Sequence, residues 1–155
     1  MAATSTNKQP LLVDRVLHYA VDMSASFIDG IDITGTNSAA LLVDSTSLDG
    51  AIIEDVYTFS RKASEVKINL YMSTSNDYLR SQEGVLIGTF KTATTLGGVS
   101  HWEDMPRILA PMPQTGDDSQ FKALYVPKGR ALWAAFQGSA VDQEAPILGC
   151  QGGWY

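Results

Sequence analysis

Residues 65–73, EVKINLYMS, set Val66, Ile68, Leu70 and Met72 against Lys67, Asn69, Tyr71 and Ser73 in strict alternation. A period of two puts the four apolar side chains on one face of an extended strand, and that face needs a second layer to cover it. Residues 51–60 (AIIEDVYTFS), 85–92 (VLIGTFKT), 120–126 (QFKALYV) and 130–137 (RALWAAFQ) are rich in β-branched and aromatic residues. Each lies between Gly, Pro, Asp or Ser clusters, as strands do. Further strands are expected over 11–20, 26–34, 39–44 and 146–154. In Val126-Pro127-Lys128-Gly129, proline presets φ and glycine accepts a positive φ, which suits a type I turn with a glycine bulge. Leu48-Asp49-Gly50 and Leu96-Gly97-Gly98 break apolar runs in the same way. Helix is expected only over 75–83, capped by Ser75 or Asn76 and stopped at Gly84. About eight short strands without βαβ alternation predict a sandwich or barrel.

The chain has 155 residues, one domain's length, able to bury roughly 68–70% of its unfolded surface. Residues 11–155 are read as that domain. The polar start MAATSTNKQP lacks periodicity and is expected to be a flexible arm over 1–10. Residues 97–119, with Pro106, Pro111 and Pro113, read as one long irregular loop, and loops of that length usually serve function or interaction.

Charge and cysteine usage narrow the function. A formal charge of −6 opposes tracking of a nucleic-acid backbone, which needs clustered Lys and Arg. The apolar runs, such as 39–43, fall far short of the roughly 20 residues of a bilayer span. The first residues do not read as a secretory signal. A lone cysteine, Cys150, allows no internal disulfide and suits a reducing compartment.

No residue pattern announces catalysis. There is no GxSxG elbow, and Cys150 has neither His nor a positive charge beside it in sequence to lower its pKa. His18 and His101 have no second His or Cys at ligand spacing, and Asp29, Asp32, Asp117 and Asp118 read as turn residues rather than calcium ligands. Glu103-Asp104 beside Trp102 is the single acid pair adjoining a sugar-stacking aromatic. Arg61-Lys62 closes a strand. Trp133 reads as a core or face residue of its strand, and Trp154-Tyr155 as an aromatic pair packing onto the domain or onto a neighbour. No metal or cofactor is expected, and the chain reads as a non-enzyme.

Three segments in order carry a resemblance: LDGAIIEDVYTFSRKASEVKINLYMST (48–74), FKALYVPKGRALWAAFQGS (121–139) and LGCQGGWY (148–155). They resemble the small jelly-roll capsid cement or decoration proteins of tailed bacteriophages. Ile53 and Val56 stand for the Gly-led I-x-x-I strand, and residues 67–71 (KINLY) for the strand that follows it. Pro127, Gly129 and Leu132-Trp133 match the L-P-x-G-x-x-L-Y hairpin, and residues 152–155 (GGWY) the G-G-D-Y end, with Trp154 where an acid is common.

The resemblance implies an all-β, jelly-roll-like antiparallel β-sandwich, bearing the arm and the long Pro-containing loop. It implies a virion structural subunit on the outer capsid surface, assembled in the bacterial cytoplasm. Its partners would be the major capsid protein and itself, as a homotrimer or homodimer, with no nucleic acid and no membrane. Residues expected at those interfaces are Gln9, Leu11, Leu12 and Val13 of the arm, and His101, Trp102, Pro106, Arg107, Ile108 and Leu109 of the loop. Trp154 and Tyr155 join them at the end. A rival reading is a glycan-binding tail-fibre or tail-tip module, with Trp102, Tyr78 or Trp133 stacking on a sugar.

Overall fold

The computed structural model describes residues 15–23, 39–77, 79, 84–105, 123–137 and 144–154. Nine strands occur among them: β1 (Arg15–Asp22), β2 (Ala40–Asp44), β3 (Gly50–Phe59), β4 (Lys67–Ser73), β5 (Val85–Lys91), β6 (Val99–His101), β7 (Leu124–Pro127), β8 (Ala131–Gln137) and β9 (Ile147–Trp154). One sheet runs β1-β9-β3-β6, with β7 also on β3, and the other runs β2-β8-β4-β5. Every pairing is antiparallel.

The pairs are nested. β4 bonds β5, β3 bonds β6 and β7, β2 bonds β8, and β1 bonds β9. That is one long hairpin rolled up, closed where β3 meets β9 and β4 meets β8. It is the order of a jelly roll. β6 and β7 lie end to end along the same edge of β3, β6 against Tyr57–Phe59 and β7 against Gly50–Ile53.

The core sits between the sheets. Leu17, Ile53, Val56, Leu148 and Cys150 meet Leu42, Val43, Ile68, Leu70 and Leu132 there. Three pairings carry a register shift, one of them between β4 and β5 at Leu70/Tyr71, and the other two set the phase of core residues. In β3 the register shifts between Ile53 and Asp55, so Ile53 and Val56, three apart, both point inward. A bulged residue opposes no partner and resets the side-chain phase, which is the physical meaning of the I-x-x-I spacing. In β2 a shift between Leu41 and Val43 buries Leu42 and Val43 together. Gly129, at φ 79, turns the β7–β8 connection as its Pro-x-Gly pattern requires.

Sheet β2-β8-β4-β5 is covered on its outer side as well. Trp133 packs there with Ala39, Leu79, Ala131 and Ala135, with Leu41 and Tyr71 at the margin. The Trp133 Nε1–H donates to the Ser75 carbonyl at 2.9 Å. Burial on both faces explains why β8 reads as a continuous apolar run rather than an alternation.

Three expectations change. Residues 76 and 77 form a bend and 75 and 79 have no regular structure, in place of the expected helix; 78 and 80–83 lie outside the described residues. The cap side chains are committed elsewhere: Ser75 Oγ accepts from the Asp77 N–H, and Asn76 Nδ2 donates to Asp44. The stretch expected to be irregular from 97 onward contains β6, because its backbone pairs with β3. Trp102, expected at an interface, is a core residue. The strand over 26–34 and the arm over 1–10 lie outside the described residues.

Candidate functional site

The outer face of sheet β1-β9-β3-β6 is the open one. Cross-strand partners share a face, so the register sorts its side chains into rows across the strands. One row holds Asp22, Ile147, Phe59 and Val99; the next holds Ala20, Gly149, Tyr57 and His101. Then come His18, Gln151 and Asp55, and last Val16, Gly153, Ile52 and Tyr125. Four large apolar side chains on this face are exposed: Val16 at 83%, Phe59 at 40%, Val99 at 54% and Tyr125 at 47%.

Between the two apolar rows lies a polar, aromatic belt. The Tyr57 hydroxyl and His18 Nε2 are 3.0 Å apart and share a hydrogen bond. Tyr57 springs from β3 and His18 from β1, with β9 between them. Spanning two strand spacings of about 4.8 Å each forces the Tyr57 side chain to lie down across β9. Gly149 permits this, since a Cβ there would come within 2.3 Å of the Tyr57 ring. On the other side His101 Nδ1 sits 2.9 and 3.1 Å from the two Asp55 carboxylate oxygens. A carboxylate oxygen accepts, so the His101 Nδ1–H donates to Asp55. Both imidazoles flank Tyr57 with tilted rings, at centroid distances of 6.5 and 6.3 Å. At the end of the face Arg61 grips Asp22 with Nη1 2.8 Å from both carboxylate oxygens.

An open groove of about 500 Å³ runs between β6 and β5, lined among others by Phe90, Lys91, Val99, His101 and Glu103. Trp102 follows β6, and its backbone N–H donates to the Val56 carbonyl at 2.9 Å. The Trp102 ring reaches from one sheet to the other and lies on Gly88 of β5, where a Cβ would meet Cζ2 at 2.0 Å. It is 4% exposed, and its Nε1 has no hydrogen-bond partner among the described residues.

Of the residues expected to act, His101 is exposed on the open face, and Trp154 is half-buried against the core. Trp102 and Trp133 are buried, so neither is placed to stack on a sugar or a partner. Gln9, Leu11, Leu12, Val13, Pro106, Arg107, Ile108, Leu109, Tyr155 and Tyr78 lie outside the described residues. Glu103 and Asp104 stand exposed in a turn beside the groove. Sequence reasoning missed Val16, Asp55, Tyr57, Phe59, Val99 and Tyr125. The signal for them was present: Gly149 and Gly153 are four apart, an even spacing that puts both bare positions on one face of the last strand.

Cys150 faces the core, and burial pushes its thiol up to about 12. Among the described residues no group of three or more His, Cys, Asp or Glu is placed to hold a metal ion. No helix is long and apolar enough to cross a membrane among the described residues. No family model matches the chain, and neither a curated protein nor a solved structure matches it.

Proposed function

We propose that this protein is a structural subunit of a tailed-phage virion, a capsid cement or decoration protein that binds and stabilises the major capsid shell from outside. The observation that carries this reading is the gathering of Val16, Phe59, Val99 and Tyr125 on the open face of a jelly roll. Exposed apolar side chains grouped on one face mark surfaces that meet a partner. Each such side chain, once covered, contributes roughly 1.5–3 kcal/mol before ordering costs are subtracted. Several modest contacts of that size, repeated over many subunits, stabilise a shell without any reaction.

The segments that resemble those of capsid cement proteins support the same reading. Ile53 and Val56 flank the β3 bulge, residues 67–71 lie in β4, and Pro127 and Gly129 form the β7–β8 turn. A net charge of −6 keeps free subunits off nucleic acid during assembly. The test is co-sedimentation of the purified protein with expanded and unexpanded heads of its phage. Saturable binding to expanded heads alone is the expected result and gives the copy number. A folded protein that sediments with neither refutes the cement role.

A further inference from the structure

The inference drawn here rests on the reading of the protein as an assembly subunit and names the first partner of its open face. We infer that the outer face of sheet β1-β9-β3-β6 packs against the same face of a second copy, so that the free protein is a two-fold dimer.

The arrangement of the face is self-complementary. One apolar band, Ile147, Phe59 and Val99, crosses the strands at one end, and another, Val16, Ile52 and Tyr125, crosses them at the other. The belt of His18, Tyr57, His101 and Asp55 lies between. A two-fold axis in the plane of the face returns apolar band onto apolar band and belt onto belt, whether it runs along the strands or across them. Isologous dimers require that pattern, in which one patch serves as its own complement.

Charge favours the same occupant. Copies of a chain carrying −6 repel one another, so they associate through a face whose charges are already matched. Here Asp22 is ion-paired with Arg61, and the Asp55 carboxylate accepts a hydrogen bond from His101, inside each subunit. Relief also permits close approach. Gly149 and Gly153 leave two positions of β9 without side chains on this side, with Gln151 between them, and Tyr57 lies across the strand at Gly149.

The area is sufficient for a reversible pair. Four strands about 4.8 Å apart and seven residues at about 3.3 Å each give a flat footprint of roughly 400 Å² per copy. Two copies then remove roughly 800 Å² before side-chain relief is counted, against the ~1,000 Å² of a specific interface. The protruding Val16, Phe59, Val99 and Tyr125 side chains add to that figure, so a dissociation constant on the order of 1–100 µM is expected.

Sedimentation equilibrium from about 1 to 500 µM, a range bracketing that constant, tests the inference, with head loading measured in parallel. Wild-type chain is expected to dimerise reversibly. Phe59→Glu and Val99→Glu, at exposed positions where the fold tolerates charge, are expected to raise the dissociation constant roughly 30-fold or more, as loss of an interface hot spot does. Val85→Glu, an exposed apolar position on the other sheet, is expected to leave it unchanged. Urea midpoints confirm that each variant is folded. A chain that stays monomeric, or a dimer indifferent to Phe59→Glu and Val99→Glu, overturns the inference. If that monomer loads onto heads and Val99→Glu blocks loading, the face belongs to the capsid protein and the cement reading stands. If the dimer forms as described but the protein never loads, the dimer stands and the cement reading falls.

Discussion

Replacing Gly88 with alanine tests whether Trp102 holds the two sheets together. The added Cβ would stand 2.0 Å from Trp102 Cζ2, with Cε2 and Cη2 also inside 3 Å. The indole cannot retreat easily: it is enclosed by the core, and the backbone N–H of Trp102 is fixed to the Val56 carbonyl. Overpacking a well-filled core costs about 1–3 kcal/mol, and a locked ring puts this case at the upper end, about 3 kcal/mol. In a chain of this size that lowers Tm by roughly 6–12 °C. Trp102→Leu alone leaves a cavity and costs about 2–4 kcal/mol. The double variant relieves the clash with the smaller side chain, so its cost falls short of the sum by at least about 1 kcal/mol. Urea unfolding at constant m-value measures all four corners of the cycle. Additivity within about 0.5 kcal/mol would refute the wedge. Gly149→Ala is the control, because there the obstacle is the hydroxyl end of Tyr57, which can lift off β9 by giving up its bond to His18. Its expected cost is about 1 kcal/mol, the His18 hydrogen bond.

Acid should loosen the cover over the outer side of sheet β2-β8-β4-β5. Burial alone would raise the Asp44 carboxyl, but hydrogen bonds from Asn76 and from the Thr46 side chain and backbone outweigh it and hold its pKa below the usual 3.8. A depressed carboxyl contributes stability that is complete above its unfolded pKa and is lost as pH falls through the folded one. Asp44→Asn should therefore destabilise the protein at neutral pH and flatten its loss of stability below about pH 4, read from urea midpoints across pH. Cys150, buried with its pKa raised to about 12, should resist an aromatic disulfide reagent at pH 8 in the native state and react fully in denaturant. Rapid native labelling would refute its placement in the core.

Alternation in 65–73 and the turn chemistry of 126–129 made the all-β class and the β7–β8 hairpin legible, because both are local properties of the backbone. The last strand and its glycines were legible too, but what they serve was not. Gly149 is bare for Tyr57, and Gly88 for Trp102, residues far away in the chain. Trp102 illustrates the limit. Its neighbours in sequence are polar and proline-rich, which reads as loop. Its neighbours in space are Gly88 and the core, because pairing of Val99–His101 with β3 carries the ring between the sheets. The helix expected at 75–83 failed for a similar reason: Ser75 and Asn76 found partners in Asp77, Trp133 and Asp44.

By itself the sequence determined that this chain makes strands, where several of them turn, and that it carries net negative charge without a catalytic or metal-binding pattern. Only the tertiary structure decided which faces meet. The bulge at residues 53–55 reversed the phase of β3, sent Ile53 and Val56 inward together, and left Tyr57 and Phe59 beside Val99 and His101 on the open side. A strand's side-chain period is fixed by the backbone, but its phase is set by hydrogen bonds to residues distant in sequence.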